Sequence, residues 1–348
     1  MRGSEVFPRI EDVAERAQVS LATVDRVLHG RGGVRPSTVQ RVMQAATALG
    51  YVSQAQLADA TAPKPLRIAF LIPAGSNRFL RMLGDLIGYA HEQWAPFNVR
   101  CQAVFIEAFN PEALAQHLLK EGKRSDGVAF MALEHPLVRE AVAELAERGV
   151  PTVTLISDLS NSRRAAYVGL DNRAAGRTAA YLIARFMGPA ATRGAKVAMI
   201  AGSLSYRAHE EREAGFLHLF EEQYPEVRVV GLREGRDDAE RNYEQARALF
   251  QQHGDLAGIY NIGGGAEGIG RAIHELSPAC KPVFIGHGLT PDTRALLIAG
   301  TMDAVITQNP QGAVANCVRI FANLRDRRDV LSGVEHVRSQ VIFRENLP

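Results

Sequence analysis

Apolar positions in the first fifty residues recur with a helical period. Ile10, Val13, Ala14 and Ala17 fall at i, i+3, i+4 and i+7, which predicts one buried face of a first helix. Gln18-Val19 break that period. Ser20 is a suitable N-cap for a second helix, Leu21 to Leu28, with Val24, Val27 and Leu28 inward. The run from His29 to Gly33 ends it. Pro36 suits the first turn of a third helix carrying Val39, Val42, Met43, Ala46 and Leu49, and Gly50 stops it. From Leu66 onward the pattern changes to short apolar runs at 67–73, 103–106, 127–133, 152–156, 167–170, 197–201, 227–232, 258–262, 283–286 and 304–306. Amphipathic stretches such as 137–148 and 243–253 lie between them. Continuous apolar runs suit strands covered on both faces, and strand–helix alternation implies parallel sheets with crossover helices. The expected fold is therefore α/β: an N-terminal all-α domain, then two lobes, each a small doubly wound parallel sheet.

Two helices joined by a short turn and braced by a third are the helix-turn-helix plan. In that plan the second helix enters the DNA major groove by its N-terminal residues. Here these are Ser20, Leu21, Ala22 and Thr23, with Arg26 one turn on. Arg26 suits bidentate pairing with guanine, and the apolar pair Leu21-Ala22 suits a thymine methyl. His29, Arg31 and Arg35 fall where phosphates would pass. A three-helix cap without a DNA role would show the same periodicity.

Charge alone would not have suggested DNA. The chain of 348 residues is 46% apolar and 22% charged with a formal net charge of +2. Met1 to Ala60 holds seven Arg and no Lys against six acids, but Ser20 to Arg41 holds four Arg against one Asp. So weak a basic block implies few phosphate contacts per copy, hence two copies per site. No signal sequence and no apolar run long enough to span a membrane is visible, so a cytoplasmic protein without membrane attachment is expected. Cys101, Cys280 and Cys317 have no CxxC spacing and read as buried reduced thiols.

The first stretch resembles the headpiece of the LacI family of bacterial transcription regulators. The family's D-V-A opening, V-S-x-x-T-V-S-R-V-L-N core and L-G-Y ending are matched by Asp12-Val13-Ala14, Val19-Ser20, Thr23-Val24, Arg26-Val27-Leu28 and Leu49-Gly50-Tyr51. Gln18 replaces the usual turn glycine, which predicts a residue with a Cβ at positive φ. Asp25 replaces serine and His29 replaces asparagine. The resemblance implies a helix-turn-helix domain over 8–52, a hinge over 53–65 and a ligand-sensing domain over 66–348. The hinge of the family wedges a leucine into the minor groove. Leu57 is the leucine available here, one turn early, because Ala60 stands at the usual position. A plain flexible linker is the other reading of this stretch.

Ligands of doubly wound sheets bind at the carboxyl ends of the strands. Between two facing lobes the candidates are Asn77, Arg78 and Phe79, then Glu134 and His135, then Asp171 and Asn172. Asn261, His287 and Gln308 follow in the second lobe, and Arg212 lies one turn into the helix after Ala201-Gly202-Ser203. The set donates and accepts hydrogen bonds, with Phe79 as a stacking face, which suits a sugar or polyol. Asp171 also reads as a helix N-cap and Phe79 as core. This body resembles a periplasmic-binding-protein-type sensor of the ribose and inositol branch. Arg212-Glu213-Ala214-Gly215-Phe216, Val168-Gly169-Leu170-Asp171-Asn172 and Gln308-Asn309-Pro310 match its motifs, and the resemblance implies that Arg212 holds the ligand. Ile285-Gly286-His287 stands where a sugar sensor carries V-G-x-D, so imidazole replaces a common carboxylate ligand. The lobes are expected at about 66–170 with 309–331, and about 171–308 with 332–348.

Gly263-Gly264-Gly265-Ala266-Glu267-Gly268 satisfies GxGxxG, but the next strand ends in His287 rather than the acid that would hold a ribose. These glycines are expected to let backbone approach a ligand. No HExxH, P-loop or GxSxG occurs, and no nucleophile is assembled with a base. The sequence thus points away from an enzyme, with no cofactor and no metal. It predicts a homodimeric, ligand-controlled regulator, most simply a repressor, on a near-palindromic operator. A cytoplasmic sugar-binding or sugar-modifying protein without operator binding is the alternative.

Overall fold

Among the described residues the first unit holds four helices: α1 (Ile10–Ala17), α2 (Leu21–Leu28), α3 (Pro36–Ala48) and α4 (Gln54–Thr61). They come from a computed structural model that describes residues 8–61, 64–94, 98–276 and 281–348. Gln18 closes α1 in the left-handed conformation, φ 52° and ψ 50°. Its N–H donates to Glu15 O, so the strained residue satisfies a carbonyl at the helix end. Ser20 then caps α2, its Oγ accepting from Thr23 N at 3.3 Å. Pro36 opens α3, and Gly50, at φ 74°, ends it. The apolar faces meet in one small core of Val13, Ala14, Ala17, Val24, Val27, Val42, Met43, Ala45 and Ala46. Residues 54–61 are helical rather than a plain linker. The reason is local: Gln56 N donates to Ser53 Oγ at 3.2 Å and Ser53 N to Gln56 Oε1 at 2.8 Å, a reciprocal cap.

The chain divides at Pro65, and Leu66–Pro348 forms a second unit. Its first sheet contains β1 (Leu66–Pro73), β2 (Val99–Ile106), β3 (Gly127–Phe130), β4 (Thr152–Leu155) and β5 (Ala166–Val168). They run in the order β2-β1-β3-β4-β5, all parallel. The second sheet contains β6 (Lys196–Ala201), β7 (Arg228–Glu234), β8 (Leu256–Asn261), β9 (Val283–His287), β10 (Ala304–Thr307) and β11 (Gln340–Ile342). Its order is β11-β10-β9-β8-β6-β7, parallel except for β11, which pairs antiparallel with β10. Apart from β11 the two sheets repeat one topology. The order reverses beside β1 in one and beside β6 in the other, which is where a crevice opens at the carboxyl ends.

Continuous apolar runs appear because both faces of each sheet are covered. Along β6, Val197, Met199 and Ala201 enter one core while Ala198 and Ile200 enter the other. Between β1 and β5 the crossovers are α5 (Arg78–Trp94), α6 (Pro111–Glu121) and α7 (Pro136–Glu147). In the second lobe they are α8 (Asn172–Met187), α9 (Arg207–Gln223), α10 (Ala239–Gln252), α11 (Ala266–Leu276) and α12 (Pro291–Ile298). After β10 the chain returns: α13 (Pro310–Arg325) buries Ala313, Val314, Cys317, Ile320 and Phe321 in the first lobe's core. Ile342 of β11 then joins a core of the second.

Several strands differ from the sequence pattern; β2 begins at Val99, four residues before its apolar run. β3 stops at Phe130, and buried Met131, Ala132 and Leu133 follow it outside the ladder, with Met131 lining the cleft. β7 runs on to Glu234, two residues past its apolar stretch. β11 is three residues long and too short to show any alternation. Cys101 and Cys317 are buried free thiols. Burial pushes Cys101 up to about 12 and Cys317 further up, so neither forms a reactive thiolate. Cys280 lies outside the described residues.

Candidate functional site

In the first unit the start of α2 faces outward. Leu21 is 48% exposed, an unusual place for a large apolar side chain, and Ala22 and Arg26 are exposed beside it. Among the described residues Arg26 has no hydrogen-bond or ion-pair partner. Ser20 and Thr23 are engaged with each other, Oγ to Oγ1 at 2.9 Å, and serve the cap. The side chains of His29 and Arg31 are not free. His29 Nδ1 lies 3.0 Å from Asp25 Oδ1, and Arg31 Nη1 donates to Asp25 Oδ2 at 2.9 Å. Asp25, the departure from the family serine, therefore gathers both. Such exposed pairs are worth about 0–1 kcal/mol and open readily. Arg35 is exposed at the N-cap of α3. Leu57, considered as a wedge, is half-buried and packs against the small helical core.

In the second unit a cleft of about 720 Å³, its open mouth included, separates the lobes. Asn77, Phe79, Arg212, His287 and Gln308 all line it. Asn77 Nδ2 crosses to Asp237 Oδ2 at 2.8 Å, and its Oδ1 accepts from Leu80 N at 3.2 Å at the start of α5. Phe79 leans on the first lobe's core and faces Gly288, where a Cβ would come within 3.3 Å of it.

Arg212 forms the floor. It is 6% exposed, its Nε donates to Asn172 Oδ1 at 2.9 Å and its Nη1 to Ile262 O at 2.8 Å. Two glycines bring it there. A Cβ at Gly176 would lie 1.9 Å from Arg212 O, and one at Gly215 would lie 2.0 Å from Arg173 O. Only hydrogen at both positions lets α8 and α9 approach closely enough for Arg212 to reach Asn172. Burial opposes the guanidinium charge, yet arginine stays protonated in proteins. His287 Nε2 lies 2.6 Å from the hydroxyl of fully buried Tyr260. Burial, with Arg212 and His209 nearby, holds His287 well below the ordinary histidine value. Gln308 is 6% exposed, and its Oε1 is buried without a partner.

Five candidate residues do not line the cleft; one of them, Asn172, lies behind it as the acceptor for Arg212 Nε. Glu134 is committed elsewhere: its Oε1 pairs with Arg139, and its Oε2 accepts from Ser160 N at 3.0 Å. His135 caps α7, accepting from Leu137 N. Asp171 caps α8 through Ala174 N at 2.9 Å and lines a separate groove with Tyr167 and Asn316. Asn261 is wholly buried and shapes the glycine loop, donating to Gly263 O and Gly264 O at 3.1 Å each. Its Oδ1 has no partner.

Two residues escaped the sequence reading. Asp237 holds the lobes together: besides Asn77, it accepts from Gly264 N at 2.7 Å through Oδ1, and its carbonyl accepts from Ser76 Oγ at 2.9 Å. It follows a strand end, but that strand's apolar run closes too early to point at it. His209 lines the cleft from α9. Burial holds it down to about 4, against the opposing pull of Asp237. The glycine run, expected to admit a ligand, also admits this latch. A Cβ at Gly263 would lie 2.3 Å from Asp237 Oδ1, and one at Gly268 would lie 1.8 Å from Ala239 O. Among the described residues no cluster of metal-ligating side chains occurs, and no helix is long and apolar enough to cross a membrane.

The profile of bacterial regulatory proteins of the lacI family matches residues 9–54, and that of the periplasmic binding protein domain matches residues 68–328. An uncharacterized HTH-type transcriptional regulator in the aml 5′ region from Streptomyces limosus is 33% identical over 180 residues, 51% of this chain and 49% of that protein. A ribose operon repressor from Halalkalibacterium halodurans is 28% identical over 252 residues, 72% of this chain and 70% of the repressor. The chain spans about half the length of several of the curated relatives it matches. Among solved structures, a glucose-galactose binding protein from Geobacillus stearothermophilus superposes with a TM-score of 0.72 at 24% identity, over 82% of this chain and 100% of that one. That likeness concerns the fold.

Proposed function

Because the chain belongs to the LacI family of bacterial regulatory proteins, with a periplasmic-binding-protein domain behind its headpiece, we propose that it is a DNA-binding transcriptional repressor controlled by a small polar ligand held between its lobes. The observation that carries this reading is the outward face of α2, where Leu21, Ala22 and unpartnered Arg26 stand together. A single guanidinium and an apolar pair read only a few base edges, so two headpieces of a homodimer would share a near-palindromic operator. A sugar or polyol fits the cleft, whose walls offer both donors and acceptors beside Phe79. The names of the ribose operon repressor and the glucose-galactose binding protein point the same way. Ligand closing the lobes would bias the headpieces by its differential affinity for the two states, typically ~1–3 kcal/mol. The protein would work in the cytoplasm, where its operator is, and without catalysis.

A gel shift on the DNA upstream of its own gene tests this. Arg26→Ala weakens the shift. Arg212→Ala keeps the shift and loses the response to ligand. A wild-type chain that shifts no upstream fragment, with or without sugars, overturns the reading.

A further inference from the structure

We propose that the ligand of the cleft is a polyhydroxylated carboxylate, a sugar acid, whose carboxylate sits on Arg212 and His287 and one of whose hydroxyls donates to Gln308. The inference rests on the cleft being the effector site and goes on to name the ligand's charge.

The charges on the cleft wall are unevenly placed. At the mouth Arg78 Nε is paired with Asp292 Oδ2 at 3.0 Å, and Glu267 stands near both. At the floor lie Arg212, His209 and His287. Among the described residues no carboxylate is within ion-pair distance of Arg212. Asp237 and Glu211 are the acids whose charge reaches Arg212; both Asp237 oxygens already accept hydrogen bonds, from Gly264 N and Asn77 Nδ2, and Glu211 is paired with Arg207. The start of α11, with Gly265 and Ala266, also lines the cleft and adds the positive end of its peptide dipoles. A buried charge without a counterion is costly, and an anionic ligand relieves that cost.

Hydrogen-bond polarity points the same way. Arg212 has spent Nε and one hydrogen of Nη1 on Asn172 and Ile262. Nη2 has no hydrogen-bond partner among the described residues and, with the remaining Nη1 hydrogen, stays available for a two-oxygen acceptor. The Tyr260 hydroxyl is fully buried, and His287 Nε2 is its hydrogen-bond partner. A buried O–H must donate, so it donates to Nε2, and the proton of the neutral imidazole sits on Nδ1. His287 thus presents a donor at the position where an aspartate would present an acceptor. Gln308 has the opposite need: its orphaned Oε1 requires a hydroxyl donor. A plain sugar would answer Gln308 and accept hydrogen bonds from Arg212 but leave the guanidinium charge without a counterion, whereas a simple dicarboxylate would supply the charge and leave Gln308 without its donor. One guanidinium beside two neutral imidazoles matches the single charge of a carboxylate better than a phosphate dianion.

Calorimetric titration of the full chain tests this with matched probes: gluconate, galactonate, glucuronate and galacturonate against glucose, galactose and myo-inositol, with glucose 6-phosphate as a third arm. An acid is expected to bind at least about tenfold tighter than its neutral counterpart, the scale of a charge-assisted hydrogen bond. His287→Asp, checked for folding by its melting curve, is expected to reverse that preference. Neutral sugars binding as tightly as the acids, or an acid preference untouched in His287→Asp, overturns the inference and leaves the sugar-or-polyol reading standing. Tighter binding of the phosphate overturns the carboxylate. If none of the three groups binds while amino acids or nucleobases do, both readings fall.

Discussion

Asn77 Nδ2 meets Asp237 Oδ2 at 2.8 Å, and with that bond the first lobe is tied to the second at the lip of the cleft. Asp237 pays for its position in backbone strain. It sits at φ 58° directly after Arg236 at φ 53°, two side-chain-bearing residues in the left-handed region. Gly263 and Gly264 leave the room into which its carboxylate fits. Asp237→Asn keeps a residue that tolerates this backbone but sets an amide N–H against one of the two donors. Losing a charge-assisted bond across the lobes costs about 1.5–3 kcal/mol. The ligand-free variant is expected to show a larger radius of gyration by X-ray scattering and weaker ligand binding by about tenfold or more. Unchanged scattering would mean that the latch does not hold the closed state.

Arg26→Ala should weaken operator binding by about 1–3 kcal/mol and relax specificity at one base pair, with circular dichroism unchanged. Asp25→Ser releases His29 and Arg31, which Asp25 now holds. It should steepen the salt dependence of DNA binding by about one phosphate contact. Equal salt slopes for the two proteins would rule out Arg31 as a phosphate ligand.

At Gln18, φ 52°, the left-handed conformation costs about 1–2 kcal/mol, and glycine would remove that at an entropic cost of about 0.5–1 kcal/mol. Gln18→Gly is expected to slow hydrogen exchange of the α1 and α2 amides in the full chain, by several tenths of a kcal/mol to about 1. Faster exchange would show that Gln18 contributes through its side chain.

Acid should weaken the fold through the cleft. Burial holds His209 down to about 4, with Arg212 pushing it the same way and Asp237, Glu234 and the Ser203 backbone pulling it up. His287, facing Arg212 and His209, is likewise depressed. A histidine whose folded pKa lies below its unfolded value of about 6.5 is bound by fewer protons when folded. Stability is therefore full above about pH 6.5 and falls as pH drops toward about 4, with a limiting slope of about 1.4 kcal/mol per pH unit for each such group. Urea denaturation at pH 7, 6 and 5 measures it; a flat profile would mean that the imidazoles are solvated.

Gly176→Ala places a methyl where Arg212 O stands, at 1.9 Å. Forcing α8 and α9 apart costs about 1–3 kcal/mol. It also draws Arg212 away from Asn172, so ligand affinity should fall further than the melting temperature alone accounts for. A variant that loses stability but keeps its affinity would show that the floor does not depend on this helix contact.

Much of the fold was legible because its causes are local. The start of α2 is decided by Ser20 and Thr23, three residues apart, and the end of α3 by Gly50. Ten of the strands announce themselves because apolar side chains alternate between two cores, as along β6. β11 gave no such signal: three residues paired at an edge carry no period. Glu134, His135 and Asp171 stand after strands as ligand residues should, but the sequence cannot say whether a nearby partner will claim them first. Arg139, Leu137 N and Ala174 N did.

By itself the sequence determined the helical headpiece, the alternation of strands and crossovers, and the family to which both belong, since caps, periods and motifs act over a few residues. The tertiary structure alone decided the cleft. Residues 77, 209, 212, 287 and 308 line it, with 77 latched to 237 across the lobes, because two sheets of the same topology flank it and because glycines let α8 and α9 close. Which cleft residues stay free to bind is a matter of hydrogen bonds made across as many as 214 positions of chain.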